Sequence, residues 1–138
     1  MIAYLDSSVL LRLILRQPGA FKEWKAVQTG VASALAEVEC LRTLDRFRLQ
    51  AGIGDSEITR RREAVYRLLD GMEIVEVNQT VLSRAAQPFP TSLGTLDAIH
   101  LATALLWREQ RGKSLVMATH DATLAIAARA FGFEVLGA

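Results

Sequence analysis

The stretch Ile2-Ala3-Tyr4-Leu5-Asp6-Ser7-Ser8 decides how this chain is read. A short apolar run stops at an acid, two hydroxyl residues follow, and a second apolar stretch, Val9 to Leu15, begins at once. In an α/β protein this is a buried central strand whose carboxyl end delivers Asp6 to the crevice where ligands bind. A simpler reading makes Asp6 or Ser7 the cap of the next helix, accepting its orphan N–H groups. The stretch alone leaves the two readings level.

Strand and helix signals alternate outward from it. Ile2 to Leu5 is a strand, and Ser8 to Leu15 a helix that ends before Pro18-Gly19. Phe21, Trp24 and Val27 recur at helical spacing and predict a short helix over 20–28, broken by Gly30, with Val31-Ala32 a very short strand or extended lead. Ala34 to Gln50 is a long helix with Leu35, Val38, Leu41, Leu44 and Phe47 along its apolar side. After a turn at 51–54, a second long helix runs from near Ser56 through Leu69, and Gly71 closes it where a left-handed residue costs least. Met72 to Val77 alternates as a half-buried strand, Asn78 caps a helix to about Ala86, and Pro88 and Pro90 mark a loop. Leu96 to Arg111 is a further long helix ended by Gly112, Leu115 to Ala118 a strand, Asp121 the start of a helix through Phe131, and Glu134 to Leu136 a last strand.

Alternating strands and helices without hairpin turns predict an α/β fold in layers, a mostly parallel central sheet flanked by helices on both faces. The two helices within 34–69 have no strand between them and form a helical hairpin. The 138 residues suit one domain spanning 1–138, with enough apolar content (51%) for a single core. No apolar run reaches the roughly 20 residues of a membrane span, and the start lacks the basic region of a signal peptide. A lone cysteine, Cys40, excludes an internal disulfide and fits a reducing cytoplasm, the expected location. With no base or charge partner in view, Cys40 is expected buried and inert.

The formal net charge is only +1, yet its distribution is uneven. Between Arg42 and Arg67, seven arginines (42, 46, 48, 60, 61, 62, 67) face four acids (45, 55, 57, 63), giving that segment +3 and the remainder −2. A solvated helix face explains such a run as readily as contact with nucleic acid.

Four carboxylates fall at related places: Asp6 after the first strand, Glu39 in the second turn of the helix after the second, Asp97 in the first turn of its helix, and Asp121 after strand 115–118. In a parallel sheet these junctions share the carboxyl edge. Asp6 and Asp121 can be caps, and Asp97 can simply complement a helix dipole. Glu39 lies too deep in its helix to cap. Carboxylates within about 4–6 Å of one another cannot all ionise unaided, and a hard divalent cation such as Mg²⁺ or Mn²⁺ with oxygen ligands is the natural remedy. Such an ion can activate water and clamp a phosphodiester. One cysteine and two histidines give no zinc spacing.

The stretches YLDSSVLLRL around Asp6, ASALAEVECLRTL around Glu39, LGTLDAIHLATAL around Asp97 and MATHDATLAIAARAFGFEV around Asp121 resemble the PIN-domain ribonucleases, most closely the VapC-type toxins of VapBC toxin–antitoxin pairs. They run the length of the chain in order, while the middle, Leu49 to Pro90, carries no motif. The resemblance implies a PIN-like three-layer domain and a Mg²⁺- or Mn²⁺-dependent endoribonuclease acting as the toxin of a type II pair. It implies catalysis by Asp6, Glu39, Asp97 and Asp121, metal binding by Asp6, Asp97 and Asp121, and supporting hydroxyls at Ser7, Ser8 and Thr119. It also implies a homodimer that cleaves RNA and is inhibited by a small VapB-type antitoxin. Glu37 competes with Glu39 for the family's glutamate, but the two are about 200° apart on a helix, so only one faces the pocket, and the spacing from Ser33 favours Glu39.

Arg42, Arg60, Arg61 and Arg62 are candidate RNA-phosphate contacts, with an Arg42–Glu39 ion pair and solvent exposure as the simpler alternatives. His100, three residues after Asp97, is read as a packing or hydrogen-bonding residue, and His120 chiefly as other than a phosphate contact. Trp24 and Trp107 are read as core or dimer contacts. The rival functions are a non-catalytic RNA- or protein-binding module of the same fold and a metal-dependent nuclease acting on DNA. A phospho-receiver would want a lysine after the last strand, and a haloacid-type phosphatase an aspartate where Ser8 stands; neither is present.

Overall fold

A computed structural model describes all residues 1–138. Five strands, β1 (Ile2–Leu5), β2 (Thr29–Ser33), β3 (Glu73–Val75), β4 (Val116–Ala118) and β5 (Val135–Leu136), form one sheet in the order β3-β2-β1-β4-β5. Every pairing is parallel. The helices are α1 (Ser7–Leu15), α2 (Leu35–Gln50), α3 (Asp55–Asp70), α4 (Gln79–Ala85), α5 (Thr95–Arg111) and α6 (Ala122–Ala130). No helix is long and apolar enough to cross a membrane.

The strand period of two places β1 between two cores. Ala3 and Leu5 pack with Val9, Leu10, Cys40, Leu44 and Val65 from α1, α2 and α3, while Tyr4 packs with Leu101, Leu105 and Leu124 from α5 and α6. That is the expected three-layer arrangement, with α2 and α3 as the helical hairpin. The chain first builds outward from β1 to β2 and β3, then returns to lay β4 on the other side of β1. The carboxyl ends of β1 and β4 therefore flank the switch point, where open α/β sheets bind ligands.

Several local expectations change. The helix expected over 20–28 is a short 3-10 turn, Lys22–Ala26, with Phe21 buried beside it. Gly30 does not break a helix but lies within β2, where a Cβ would meet Leu5 at 3.1 Å and Met72 at 3.2 Å. Close approach, not a turn, is what this glycine serves. Gly71 has φ −83°, so α3 ends without a left-handed residue, whereas Gly112 after α5 does adopt one at φ 60°. The strand expected over 72–77 is confined to Glu73–Val75. On α2 the buried stripe is Ala36, Cys40 and Leu44, spaced four apart, while Val38 is exposed. Small side chains on that stripe face the core beside β1, which leaves the larger ones for the helix flanks. Asn78 caps α4 as expected, its Oδ1 accepting from the Val81 N–H at 3.0 Å.

Candidate active site

Asp6 leaves β1 at the N-cap position of α1 with extended backbone, φ −71° and ψ 153°, but its side chain makes no capping bond. The Val9 and Leu10 N–H groups are taken by the Asp6 backbone carbonyl. Its carboxylate, 5% exposed, is therefore free for other partners: Oδ2 accepts from Ser8 Oγ and Thr119 Oγ1, both at 2.8 Å. Thr119 Oγ1 in turn accepts the Asp121 N–H at 3.0 Å, and Ser8 Oγ accepts the His120 N–H at 3.0 Å. The three hydroxyl residues expected near the acids do lie there, and two of them lace the β1–α1 junction to the β4–α6 junction.

Asp121 behaves as the cap that Asp6 is not, with Oδ1 accepting from the Leu124 N–H at 2.9 Å. Glu39, half-buried on α2, accepts through Oε1 from Ser7 Oγ at 2.8 Å, and the same oxygen lies 2.6 Å from Nε2 of His100. Glu37 is exposed and lines a different pocket, so of the two only Glu39 shares a cavity with the aspartates. His100 reaches this position from α5, one turn beyond Asp97, and is fully buried. Its Nδ1 is 2.6 Å from the Tyr4 hydroxyl, and its Nε2 lies 3.8 Å from Asp6 Oδ1. The expected hydrogen-bonding role of His100 is realised. Its partners Tyr4 and Glu39 were missed from sequence, although the three-residue spacing from Asp97 already put His100 near the acids.

Asp6, Glu39, Asp97 and Asp121 all line one open cavity of about 500 Å³, with Arg42 and Arg46 also in its wall. No group of three or more His, Cys, Asp or Glu side chains is gathered as a ready-made cage for an ion. Burial, and then the neighbouring charges of Asp121 and Asp6, push the Asp97 carboxyl up to about 6. Glu39 goes the other way: burial alone would raise it, but the His100 hydrogen bond and charge, with Ser7, hold it below the usual carboxylate value. His100 is the counterpart, raised because its bond to Glu39 and the charges of Asp6, Glu39 and Asp97 outweigh its burial. Burial and the same acids drive the Cys40 thiol up to about 12, so it is inert as expected.

An all-oxygen donor set of acids, three of them with one oxygen already tied by protein donors, fits Mg²⁺ or Mn²⁺. Such ions keep several waters and take only one or two carboxylates, so an open arrangement suits them better than a closed cage. Zinc, which favours nitrogen and sulfur ligands, has no such set here.

The arginines divide. Arg42 pairs with Asp45 at 3.1 Å rather than with Glu39, yet still lines the acidic cavity. Arg60 and Arg61 pair with Glu57 on their own helix, and Arg61 also donates to the Ile14 carbonyl at 2.7 Å. They line a separate groove of about 940 Å³ between α1 and α3, together with Trp24. This groove is the larger of the two, but its acids Glu57 and Glu63 both pair with arginines of α3, whereas the four candidate acids line the smaller one. Arg62 is exposed and lines neither. None of the three lines the cavity that holds the four acids. His120 is tied through Nδ1 to the Gly137 carbonyl at 2.7 Å. Trp107 is a core residue whose Nε1–H donates to Glu73 at 3.1 Å.

The PIN domain family model matches residues 3–130. Ribonuclease VapC46 of Mycobacterium tuberculosis is 34% identical over 137 residues, covering 96% of this chain and 95% of the relative. Among solved structures, FitAcB of Neisseria gonorrhoeae superposes with a TM-score of 0.72 at 18% identity, over 99% of this chain and 96% of the other. A toxin–antitoxin complex from Klebsiella pneumoniae gives 0.63 at 20% identity, over 86% of each chain. With the sheet order, the acid-lined cavity at its switch point and similarity along nearly the full length all in agreement, this chain belongs to the PIN-domain family, among its VapC-like members.

Proposed function

We propose that this protein is a Mg²⁺- or Mn²⁺-dependent endoribonuclease, the toxin of a type II toxin–antitoxin pair. The observation that carries this reading is the convergence of Asp6, Glu39, Asp97 and Asp121 on one open cavity with arginines in its wall. Its support from relatives is the ribonuclease name of the Mycobacterium tuberculosis protein and the toxin–antitoxin assembly from Klebsiella pneumoniae. In this reading the chain works as a homodimer restrained by a small VapB-type antitoxin.

Asp6 and Asp97 would hold the cation directly, with Asp121 joining them directly or through water and Glu39 serving as a ligand or an orienter of bound water. A divalent cation held there supplies acidified water as nucleophile and charge to offset the phosphodiester's. The protein's own part is positioning. Ser8 and Thr119 fix one oxygen of Asp6 and leave Oδ1 open, while Arg42 and Arg46 offer backbone-phosphate contacts that carry no base preference.

The test is cleavage by purified protein freed of antitoxin, with RNA ends sequenced and Asp97→Asn as control. Cutting is expected with Mg²⁺ or Mn²⁺, none with chelator, and none by the variant. RNA left intact by the wild type with either ion, or bound equally well in chelator without cleavage, refutes the enzyme and favours a binding module; single-stranded DNA cut in preference to RNA redirects the substrate.

A further inference from the structure

We propose that His100 is a positioning residue: anchored by Tyr4 beneath the site, it holds Oε1 of Glu39 so that Oε2 stays available to a divalent cation or its water. This rests on the metal-dependent reading above. The geometry is a buried chain, Tyr4 hydroxyl to His100 Nδ1 at 2.6 Å and His100 Nε2 to Glu39 Oε1 at 2.6 Å. It joins the central strand, α5 and α2, and Tyr4 and His100 are both fully buried.

The link to Glu39 has a fixed direction. An ionised carboxylate has no proton to give, so Nε2 must carry the hydrogen whether the imidazole is neutral or charged. The Tyr4 hydroxyl serves both cases, donating to a bare Nδ1 or accepting from a protonated one. Ser7 Oγ donates to the same Oε1 at 2.8 Å, so two donors converge on one oxygen and Oε2 is left without a protein partner. Asp6 repeats the pattern, with both its hydroxyl donors on Oδ2. Each carboxylate is thus held by one oxygen and offered by the other, which is how residues behind a metal ligand orient it. A purely space-filling residue in this position would need neither the two short contacts nor a ring nitrogen at each end.

The test uses the full chain and three variants: His100→Phe, which keeps a ring but no donor; His100→Gln, whose amide can donate to Glu39; and Tyr4→Phe, which deletes only the hydroxyl. Mn²⁺ affinity is read by the paramagnetic resonance of the free ion, and cleavage by kcat and KM separately. His100→Phe is expected to weaken Mn²⁺ binding about 10- to 100-fold and to lower kcat with KM little changed. Recovery of much of that loss is expected in His100→Gln, and a smaller loss of the same kind in Tyr4→Phe. In the wild type, the His100 Nε2 proton should give an exchange-protected NMR resonance that moves on addition of Mg²⁺. Wild-type Mn²⁺ affinity and kcat in a folded His100→Phe overturn the proposal. If that variant does not fold, unchanged affinity in Tyr4→Phe together with an unmoved resonance overturns it. A wild type that binds no Mn²⁺ instead removes the metal-dependent reading itself, so the two failures are distinct.

Discussion

Asp6 and Asp121 stand at the same place in two parallel β–α junctions, each the residue before a nine-residue helix. Asp121 turns its carboxylate back onto the Leu124 N–H and caps α6. Asp6 leaves the first N–H groups of α1 to its backbone carbonyl and spends its carboxylate on Ser8 and Thr119. The difference lies in the surroundings: hydroxyl donors from both junctions meet at Asp6, and His100 lies beneath it. Asp121 is half-buried, with a backbone donor in reach. Occupying a cap position does not make an acid a cap.

The comparison is open to attack at three points. The largest effect is on catalysis: Asp6→Ala should abolish RNA cleavage, while Asp121→Ala should keep measurable activity and lose about 1 kcal/mol of stability with its cap. Equal loss of activity in both variants, with unfolding unchanged in both, would erase the distinction. Next comes the hydroxyl the two junctions share. Thr119→Val leaves the part-buried Asp121 N–H without its acceptor and buried Asp6 Oδ2 with one donor fewer, at a cost of about 1–3 kcal/mol in denaturant unfolding. Thr119→Ser should restore most of it, and a Val variant as stable as the wild type would deny the coupling.

The smallest effect concerns Asp97, whose carboxyl is lifted from 3.8 to about 6. The folded state then binds a proton that the unfolded state has released, so stability falls as pH rises through roughly 4 to 6 and is not regained above. Because Glu39 and His100 titrate in the same protein with their own signs, the quantity to measure is the difference between wild type and Asp97→Asn in chelator. The variant should gain on the wild type across that window and stay ahead by about 1 kcal/mol at neutral pH, after allowance for solvent screening. A flat difference curve would mean that neither burial nor the neighbouring acids raise the Asp97 carboxyl.

Much of this was legible in the chain. The run Ile2 to Leu5 alternates between two cores as its apolar character requires, and the four acids fall at one sheet edge because parallel strands put all their carboxyl ends there. The failures share a cause. Val38 has the right spacing for a core position, but α2 presents Ala36, Cys40 and Leu44 to the core instead. Gly30 looks like punctuation until Leu5 and Met72 close over it.

Sequence by itself determined the order of elements, the parallel sheet and the location of Asp6, Glu39, Asp97 and Asp121, because hydrophobic period and strand-to-helix junctions are local properties. Only the tertiary structure decided which oxygen of Asp6 and of Glu39 is tied and which is free. Those bonds join Thr119 to Asp6 across 113 residues and His100 to Glu39 across 61. No local pattern encodes a hydrogen bond of that span: its donor and acceptor meet only after the sheet has formed and both cores have packed against it.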